Sequence, residues 1–302
     1  MPDLTKPSVS VITPAYNTAR YLGETVEAAL KQSFSDFELL IVDDGSTDET
    51  PALARALAAR DRRVRVHTSP NRGPAAARNT AMAMARGRFF ALLDSDDIWT
   101  PEYLAEQLRL LENCGTASIV TANAINLGGR FDGQPLWSAT SGVLTLSLQD
   151  IIERENAVCI MSVFRREVFE TIGGFDPLFT GNEDYEFWIR AALAGFPILQ
   201  NRQPLGAYRR RDSSLSSDEV RMLKGILRVL KEADARCTSL PAARAAARRQ
   251  IRRFQKELTR AELRASIARL GARWPALLVW ADWIRQAMNG TRRMKRKVVP
   301  GQ

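Results

Sequence analysis

An α/β fold, a mostly parallel β-sheet flanked by helices and followed by a helical C-terminal extension, is what this sequence predicts. Three observations predict it. Short apolar runs alternate with amphipathic segments through residue 125, the pattern of a parallel sheet with helical crossovers. Those runs end in turns rich in aspartate and glycine. From Glu219 onward the runs give way to helix-like segments with arginine-rich polar faces.

Ser8–Thr13, Phe37–Asp43, Val64–Thr68 and Phe89–Leu93 read as buried strands, being short, apolar and bounded by polar turn residues. Leu22, Val26, Ala29 and Leu30 share one face of the first intervening helix, and Leu53, Ala56 and Leu57 one face of the second. Ser46 or Thr47 is expected to cap that second helix. Thr100-Pro101-Glu102 supplies a capping hydroxyl and a first-turn proline ahead of Leu104, Leu108 and Leu111, so a helix is expected to start there. Asn126–Gly142, rich in Gly, Pro and Ser, reads as a loop, and a mixed segment follows it to Ser217.

The 302 residues suffice for one large core with an appendage, and 45% hydrophobic with 25% charged residues suits a folded chain rather than a disordered one. Net charge is +9, unevenly placed: residues 241–302 hold 16 Arg and Lys against Glu257, Glu262 and Asp282, a net +13 that leaves the first 240 residues at −4. A basic tail on a mildly acidic body points to an anionic partner. Cys114, Cys159 and Cys237 have neither metal-like spacing nor a disulfide pattern, so a reducing compartment is expected. The first residues lack a signal-peptide layout and no stretch is long enough to span a membrane, which makes the expected location cytoplasmic. The lone histidine, His67, excludes a multi-histidine zinc site and reads as a strand-end residue.

Chemistry is carried by carboxylates at strand ends. In Val42–Thr50 an apolar strand runs into Asp43, Asp44 and a glycine turn; ligands of open α/β sheets bind beyond such carboxyl ends, although an Asp-Gly turn with a helix cap is the plain alternative. A second strand ends in Asp94-Ser95-Asp96-Asp97, three carboxylates in four residues, whose repulsion a hard divalent cation such as Mg²⁺ or Mn²⁺ would relieve. A third cluster, Glu183 and Asp184, opens a helix carrying Phe187, Trp188, Ala191 and Ala192; the pair either complements the helix dipole or supplies a base. Between them, Arg72 and Arg78 flank a Gly-Pro turn and a small-residue helix, where Arg78 and Asn79 can approach phosphate or sugar oxygens.

Taken in order, SVITPAYNTARYL, VDDGSTDET, NRGPAAARN, LLDSDDIWTP and GNEDYEFWIR resemble the family 2 glycosyltransferases, over residues 7–216. The resemblance implies the GT-A fold, a Rossmann-like sheet flanked by helices, and inverting transfer from a nucleotide-activated sugar, usually a UDP-sugar, to a hydroxyl. It implies that Pro14, Ala15 and Tyr16 border the base and ribose and that Asp43 accepts a hydrogen bond from the base. Arg78 then lies near the donor, and Asp94 and Ser95 lie at the donor with Asp94 toward the ribose or a metal-bound water. Asp96 is the implied contact to Mn²⁺ or Mg²⁺, and Asp184 the base, with Glu183 beside it. One departure stands out: Arg211 occupies the place where family members often carry a histidine. Arginine cannot ligate a metal but grips phosphate, so Arg211 is expected on the diphosphate. Trp137, Met161 and Trp188 are expected on the acceptor side.

These expectations divide the chain into a catalytic domain, residues 1–217, and a basic extension, residues 218–302. Within the catalytic domain, residues 1–125 are expected to bind the nucleotide and residues 126–217 to form the acceptor side. In the extension Leu277, Trp280, Trp283, Ile284 and Met288 fall on one helical face beside a basic cluster, a layout suited to the inner face of the cytoplasmic membrane and a lipid-linked acceptor. A helix packed on the catalytic domain or on a second copy of the chain is the alternative. Expected partners are a nucleotide sugar and a saccharide or lipid-linked acceptor of bacterial cell-surface polysaccharide or glycolipid synthesis. No nucleic acid is expected, because the tail lacks interleaved aromatics. Rival readings are a nucleotidyltransferase, disfavoured by the lack of a Gly-rich phosphate loop after the first strand, and a non-catalytic carbohydrate- or nucleic-acid-binding protein.

Overall fold

The computed structural model describes residues 6–211 and 218–273, the last four of these as backbone. The chain divides into two compact units, with the break between Ile251 and Arg252.

Among the described residues nine strands form one sheet: β1 (Val9–Ala15), β2 (Phe37–Asp43), β3 (Val64–Thr68), β4 (Phe89–Leu92), β5 (Ile98–Trp99), β6 (Ile119–Leu127), β7 (Val143–Leu146), β8 (Ser162–Arg165) and β9 (Ile198–Arg209). The order is β3-β2-β1-β4-β8-β6-β9-β5, with β7 also paired to β9. Strands β1 to β4 are parallel neighbours, β8 runs against both β4 and β6, and β6 and β9 are parallel to each other. Reversal across β8 restores the direction, so β6 and β9 point the same way as β1. Every residue of β1 and β2 is buried, which requires cover on both faces of the sheet and explains their unbroken apolar character.

Cover comes from α1 (Ala19–Leu30), α2 (Thr50–Arg60), α3 (Pro74–Met84) and α4 (Tyr103–Asn113). Of these, α3 packs on β1 and β2, and α4 on β6, β8 and β9. After β7 come α5 (Leu148–Glu153), α6 (Arg166–Ile172), α7 (Glu183–Leu193), α8 (Glu219–Arg236) and α9 (Pro241–Arg273). Helix α8, which sequence places in the extension, lies within the first compact unit and packs on α7 through a stripe including Leu223, Ile226, Leu227 and Leu230. Among the described residues no helix is long and apolar enough to cross a membrane. The aromatic segment 276–288 lies outside the described residues.

Several boundaries differ from the sequence reading for identifiable reasons. Strand β1 continues through Pro14 and Ala15 because they register with Val42 and Asp43 of β2, while pairing with β4 has ended at Ile12, so the missing proline N–H costs no ladder bond there. Neither Ser46 nor Thr47 caps α2. Ser46 Oγ instead accepts the backbone N–H of Asn17, and Asp48 Oδ1 accepts that of Thr50. On α2 it is Ala54 that is buried with Leu57, and Ala56 is exposed. Thr100 forms a turn to Tyr103 through its carbonyl rather than its hydroxyl, and α4 starts at Tyr103. The expected loop from Asn126 begins two residues later, since Asn126 and Leu127 pair with Tyr208 and Arg209 of β9. His67 is an exposed residue of the edge strand β3, as its position at a strand end suggests.

One polar hub lies inside this framework. Glu38 of β2 is 2% exposed and accepts from Ser10 Oγ at 2.8 Å, Arg65 Nη1 at 2.7 Å and the Arg86 backbone N–H at 2.7 Å. Burial pushes its carboxyl up, but these bonds and the two guanidinium groups outweigh burial and hold it below the usual glutamate value. Glu38→Ala leaves buried donors unmatched while Arg65 and Arg86 still reach water, so a loss of about 1–3 kcal/mol is expected in urea unfolding at pH 7. Because the folded-state value is lowered, that contribution is present above the unfolded carboxyl's value and fades as pH falls through the folded one. The gap between wild type and variant therefore narrows in acid.

Candidate active site

Strands that run the same way deliver their following residues to one edge of the sheet. Pro14–Thr18 at and after the end of β1, Asp44 after β2, Asp94–Asp97 after β4, and Tyr208, Arg209 and Arg211 at the end of β9 meet there around a cleft of about 590 Å³. Strand β8 runs the other way, and accordingly it is a residue ahead of its start, Ile160, that reaches the cleft. Arg78 of α3, the loop Thr180–Gly181, and Glu183 and Asp184 of α7 close the wall.

Arg78 joins the two acidic segments. Its Nη2 donates to Asp94 Oδ1 at 2.6 Å and its Nη1 to Glu183 Oε1 at 2.7 Å, the latter 105 residues away in sequence. Its side chain is 5% exposed and its guanidinium lies 5.6 Å from the centre of the Phe175 ring. Burial alone would disfavour the charge, yet the carboxylates of Asp94 and Glu183 hold the guanidinium above its ordinary value.

The remaining carboxylates are held unequally. Glu183 uses its second oxygen to accept the Gly181 N–H at 2.7 Å, so both its oxygens are engaged. Among the described residues Asp184 accepts only the N–H of Tyr185, next to it in its own helix, and it lines the cleft. Burial first, then the charge of Glu183, push Asp184 up to about 7, against the opposing pull of Arg78. Asp96 forms an ion pair with Arg211 at 2.6 Å. Burial, then the charge of Asp94, nevertheless raise its carboxyl. Asp97 accepts the Arg209 N–H through Oδ1, and its buried Oδ2 has no hydrogen-bond partner among the described residues. Burial, then Asp96 and Asp94, push it well above the usual carboxylate range.

This donor set fits a hard divalent cation. The available ligand atoms are carboxylate oxygens, and their mutual repulsion is only partly offset by Arg78 and Arg211. Among the described residues no three His, Cys, Asp or Glu converge as a ligand set, so a cation held there would take most of its ligands from phosphate and water oxygens.

The sequence of the chain from residue 10 to residue 173 matches the family described as Glycosyl transferase family 2. The chain belongs to that family. It is 32% identical over 228 residues to the putative teichuronic acid biosynthesis glycosyltransferase TuaG of Bacillus subtilis (strain 168), covering 75% of this chain and 88% of that one. It is 31% identical over 231 residues to the Escherichia coli UDP-Glc:alpha-D-GlcNAc-diphosphoundecaprenol beta-1,3-glucosyltransferase WfgD, covering 72% of this chain and 82% of that one. In fold it is similar to the mannosyltransferase PcManGT of Pyrobaculum calidifontis, solved with GDP-Man and Mn²⁺. The TM-score is 0.66 at 20% identity, over 94% of this chain and 81% of that one. The fold is that of the GT-A glycosyltransferases.

In this family 2 glycosyltransferase the structure brings together Pro14, Ala15, Tyr16, Arg78, Asp94, Ser95, Asp96, Glu183, Asp184 and Arg211. Asp43 stands just behind them. It is fully buried, its Oδ1 accepts the Ser46 N–H, and its Oδ2 has no hydrogen-bond partner among the described residues. The neighbouring Asp44 reaches the cleft and holds the backbone N–H groups of Arg72 and Gly73. Asn79 faces away from the donor edge and exchanges hydrogen bonds with the backbone of Phe175. The cleft wall does not include the three residues expected on the acceptor side. Trp188 is 1% exposed and packs edge-on against Phe164 and Phe187, because the face of α7 that carries it turns into the core. Met161 is wholly buried near Gly206, and half-buried Trp137 donates its indole N–H to the Asn156 carbonyl. Asp44, expected with Asp43 beyond the end of a strand, does line the cleft, whereas sequence reasoning missed Tyr208, Arg209 and Arg221 as lining residues.

Removing Arg78 strands two partly or wholly buried carboxylates, so Arg78→Ala is expected to cost about 3–5 kcal/mol in equilibrium unfolding. Arg78→Lys is expected to recover only a fraction of that, since one ammonium cannot reproduce a planar fork that reaches both partners.

Proposed function

We propose that this cleft transfers a sugar from a nucleotide diphosphate donor, UDP-linked, to a hydroxyl of a saccharide or lipid-linked acceptor with inversion at the anomeric carbon. The process it serves is synthesis of a bacterial cell-surface polysaccharide or glycolipid. The observation that carries this reading is the division of labour among the carboxylates: Asp184 lines the cleft without a cationic hydrogen-bond partner, while Asp94, Asp96 and Glu183 are each held by an arginine. The names of TuaG and WfgD support the cell-surface setting, and that of WfgD supports a UDP-sugar and a lipid-linked acceptor.

On this reading the base and ribose lie along Pro14, Ala15 and Tyr16, and Asp43, through its otherwise unengaged Oδ2, is the acceptor offered to the base. Asp94 and Ser95 face the ribose and diphosphate, Asp96 is the metal contact for Mn²⁺ or Mg²⁺, and Arg211 grips the diphosphate from the Asp96 side. A bound cation there supplies charge compensation for the departing diphosphate. Asp184 takes the proton of the acceptor hydroxyl as that oxygen bonds to the anomeric carbon. The bond from that carbon to the diphosphate oxygen breaks in the same displacement, and the nucleoside diphosphate leaves with the electron pair. No covalent sugar–enzyme bond forms, which gives inversion. Glu183 is a positioning residue that fixes Arg78 and the start of α7. Residues 1–125 form the nucleotide-binding region and residues 126–217, with α8 packed on α7, the acceptor side, while the basic extension beyond α8 brings the enzyme to an anionic membrane surface on the cytoplasmic side.

Asp184→Asn is expected to lower kcat by about 10²–10⁴-fold while UDP affinity stays within about twofold by calorimetry. A base must be ionised to act, so the raised value near 7 sets an acidic limb. The wild-type rate should fall about tenfold per unit below pH 7, well above the pH at which an ordinary aspartate would impose that loss. Arg211→Ala is expected to raise the donor KM, and unchanged turnover and KM would count against its place on the diphosphate.

A further inference from the structure

Four arginines line the cleft, and three are neutralised where they stand. Arg78 is shared by Asp94 and Glu183, Arg211 faces Asp96, and Arg209 donates to Glu24 and to the Asp96 carbonyl. The fourth, Arg221 in the first turn of α8, is exposed, and its guanidinium has no partner among the described residues. Only its backbone N–H is engaged, with the side chain of the capping residue Asp218.

The position of Arg221 is fixed by close packing rather than by its own contacts. Helix α8 is seated against the loop that leads into Asp184: Asn182 Nδ2 approaches the Met222 carbonyl at 3.4 Å, and a Cβ on Gly225 would lie 2.1 Å from that same nitrogen. A Cβ on Gly181 would lie 3.3 Å from Met222 Sδ. The backbone of Arg221, one residue before Met222, is thus registered to the loop bearing the base. The carboxylates assigned to ribose and metal belong to the turn after β4, on a different element. Two residues before the cleft-lining Thr180, Leu178 is 65% exposed.

We propose that Arg221 is a specificity residue on the acceptor side, which holds a phosphate of the acceptor, so that the acceptor this enzyme takes is an anionic, phosphate-linked one. This rests on the donor-site reading above, because it takes the Asp94–Asp96 side as the donor's. An unpaired guanidinium can form two charge-assisted bonds to a phosphate, and the hydroxyl of the same acceptor then falls toward Asp184. A neutral saccharide would leave this cation without a role.

Calorimetric titrations of the full chain, saturated with UDP and Mn²⁺ so that the donor side is filled, test this with three probes: farnesyl diphosphate, inorganic diphosphate and farnesol. Wild type should bind farnesyl diphosphate in preference to farnesol. Arg221→Ala should weaken that binding about tenfold or more, Arg221→Lys should fall between, and UDP affinity should stay within about twofold in both. Inorganic diphosphate binding with the same dependence on Arg221 would support phosphate recognition without a contribution from the chain. Farnesol binding as tightly as farnesyl diphosphate, an unaltered affinity in Arg221→Ala, or a loss of UDP affinity in that variant would overturn the proposal. Failure of wild type to bind UDP at all would overturn the donor-site reading, and this proposal with it.

Discussion

Arg78 is the interaction on which the geometry of the cleft depends. It comes from a helix between two strands, and it ties the carboxylate turn after β4 to the start of α7, two segments that the chain visits far apart. Without a cation at that point, Asp94, Glu183 and Asp184 would crowd the same space with like charge, and the acidic segments would be driven apart or protonated. The phenylalanine ring beneath the guanidinium and the small residues around Arg78 on α3, Ala75, Ala77 and Ala81, let it sit this deep. The small-residue stretch in the sequence thus has a packing role: it brings the helix backbone close enough to the sheet for one long side chain to span the gap.

That same bridge separates the roles of two adjacent acids. Glu183 and Asp184 are consecutive on α7, yet one is bound to Arg78 and a backbone N–H while the other has only a local helical contact. Burial makes ionising Asp184 costly and the neighbouring charge of Glu183 adds to the cost, so Asp184 is carried into the range where a carboxylate can work as a base near neutral pH. A pair that looked interchangeable in sequence is asymmetric because a single arginine chooses between its members. Arg211 plays a comparable role for Asp96 on the other wall, and Arg221 is the one cleft arginine whose charge is not taken up among the described residues.

Much of the sheet was legible because the strands β2 and β3 are bounded by polar turns on both sides, and their ends coincide with the expected Phe37–Asp43 and Val64–Thr68. Strand β1 overran its expected end because a proline inside a strand is tolerated where one neighbour has stopped pairing, which is a property of register and not of the local sequence. Helix starts were less legible. Ser46, Thr47 and Thr100 have capping chemistry, but Asn17, folded against the turn after β2, engages Ser46 and Thr47, and the chain at Thr100 follows β5 into a turn. The cleft residues at strand ends could be placed from sequence, since there position follows from topology. Those on helices could not: whether Trp188 faces the cleft or the core depends on how α7 rolls against β8, and Arg221 lines the cleft only because a helix assigned to the extension packs back on α7. Periodicity shows that α7 has an apolar face without showing what lies above it.

On the proposed function, the carboxylates at this sheet edge transfer a sugar from a nucleotide diphosphate in one metal-assisted displacement. Incubating the full chain with a panel of UDP-, GDP- and dTDP-sugars, with and without Mn²⁺, and following nucleoside diphosphate release tests it most directly. Release from one nucleotide sugar, increased by Mn²⁺ and abolished in Asp96→Ala, is the predicted result. Inertness toward every donor in the panel, in the presence of Mn²⁺ and of both saccharide and lipid diphosphate acceptors, would contradict it.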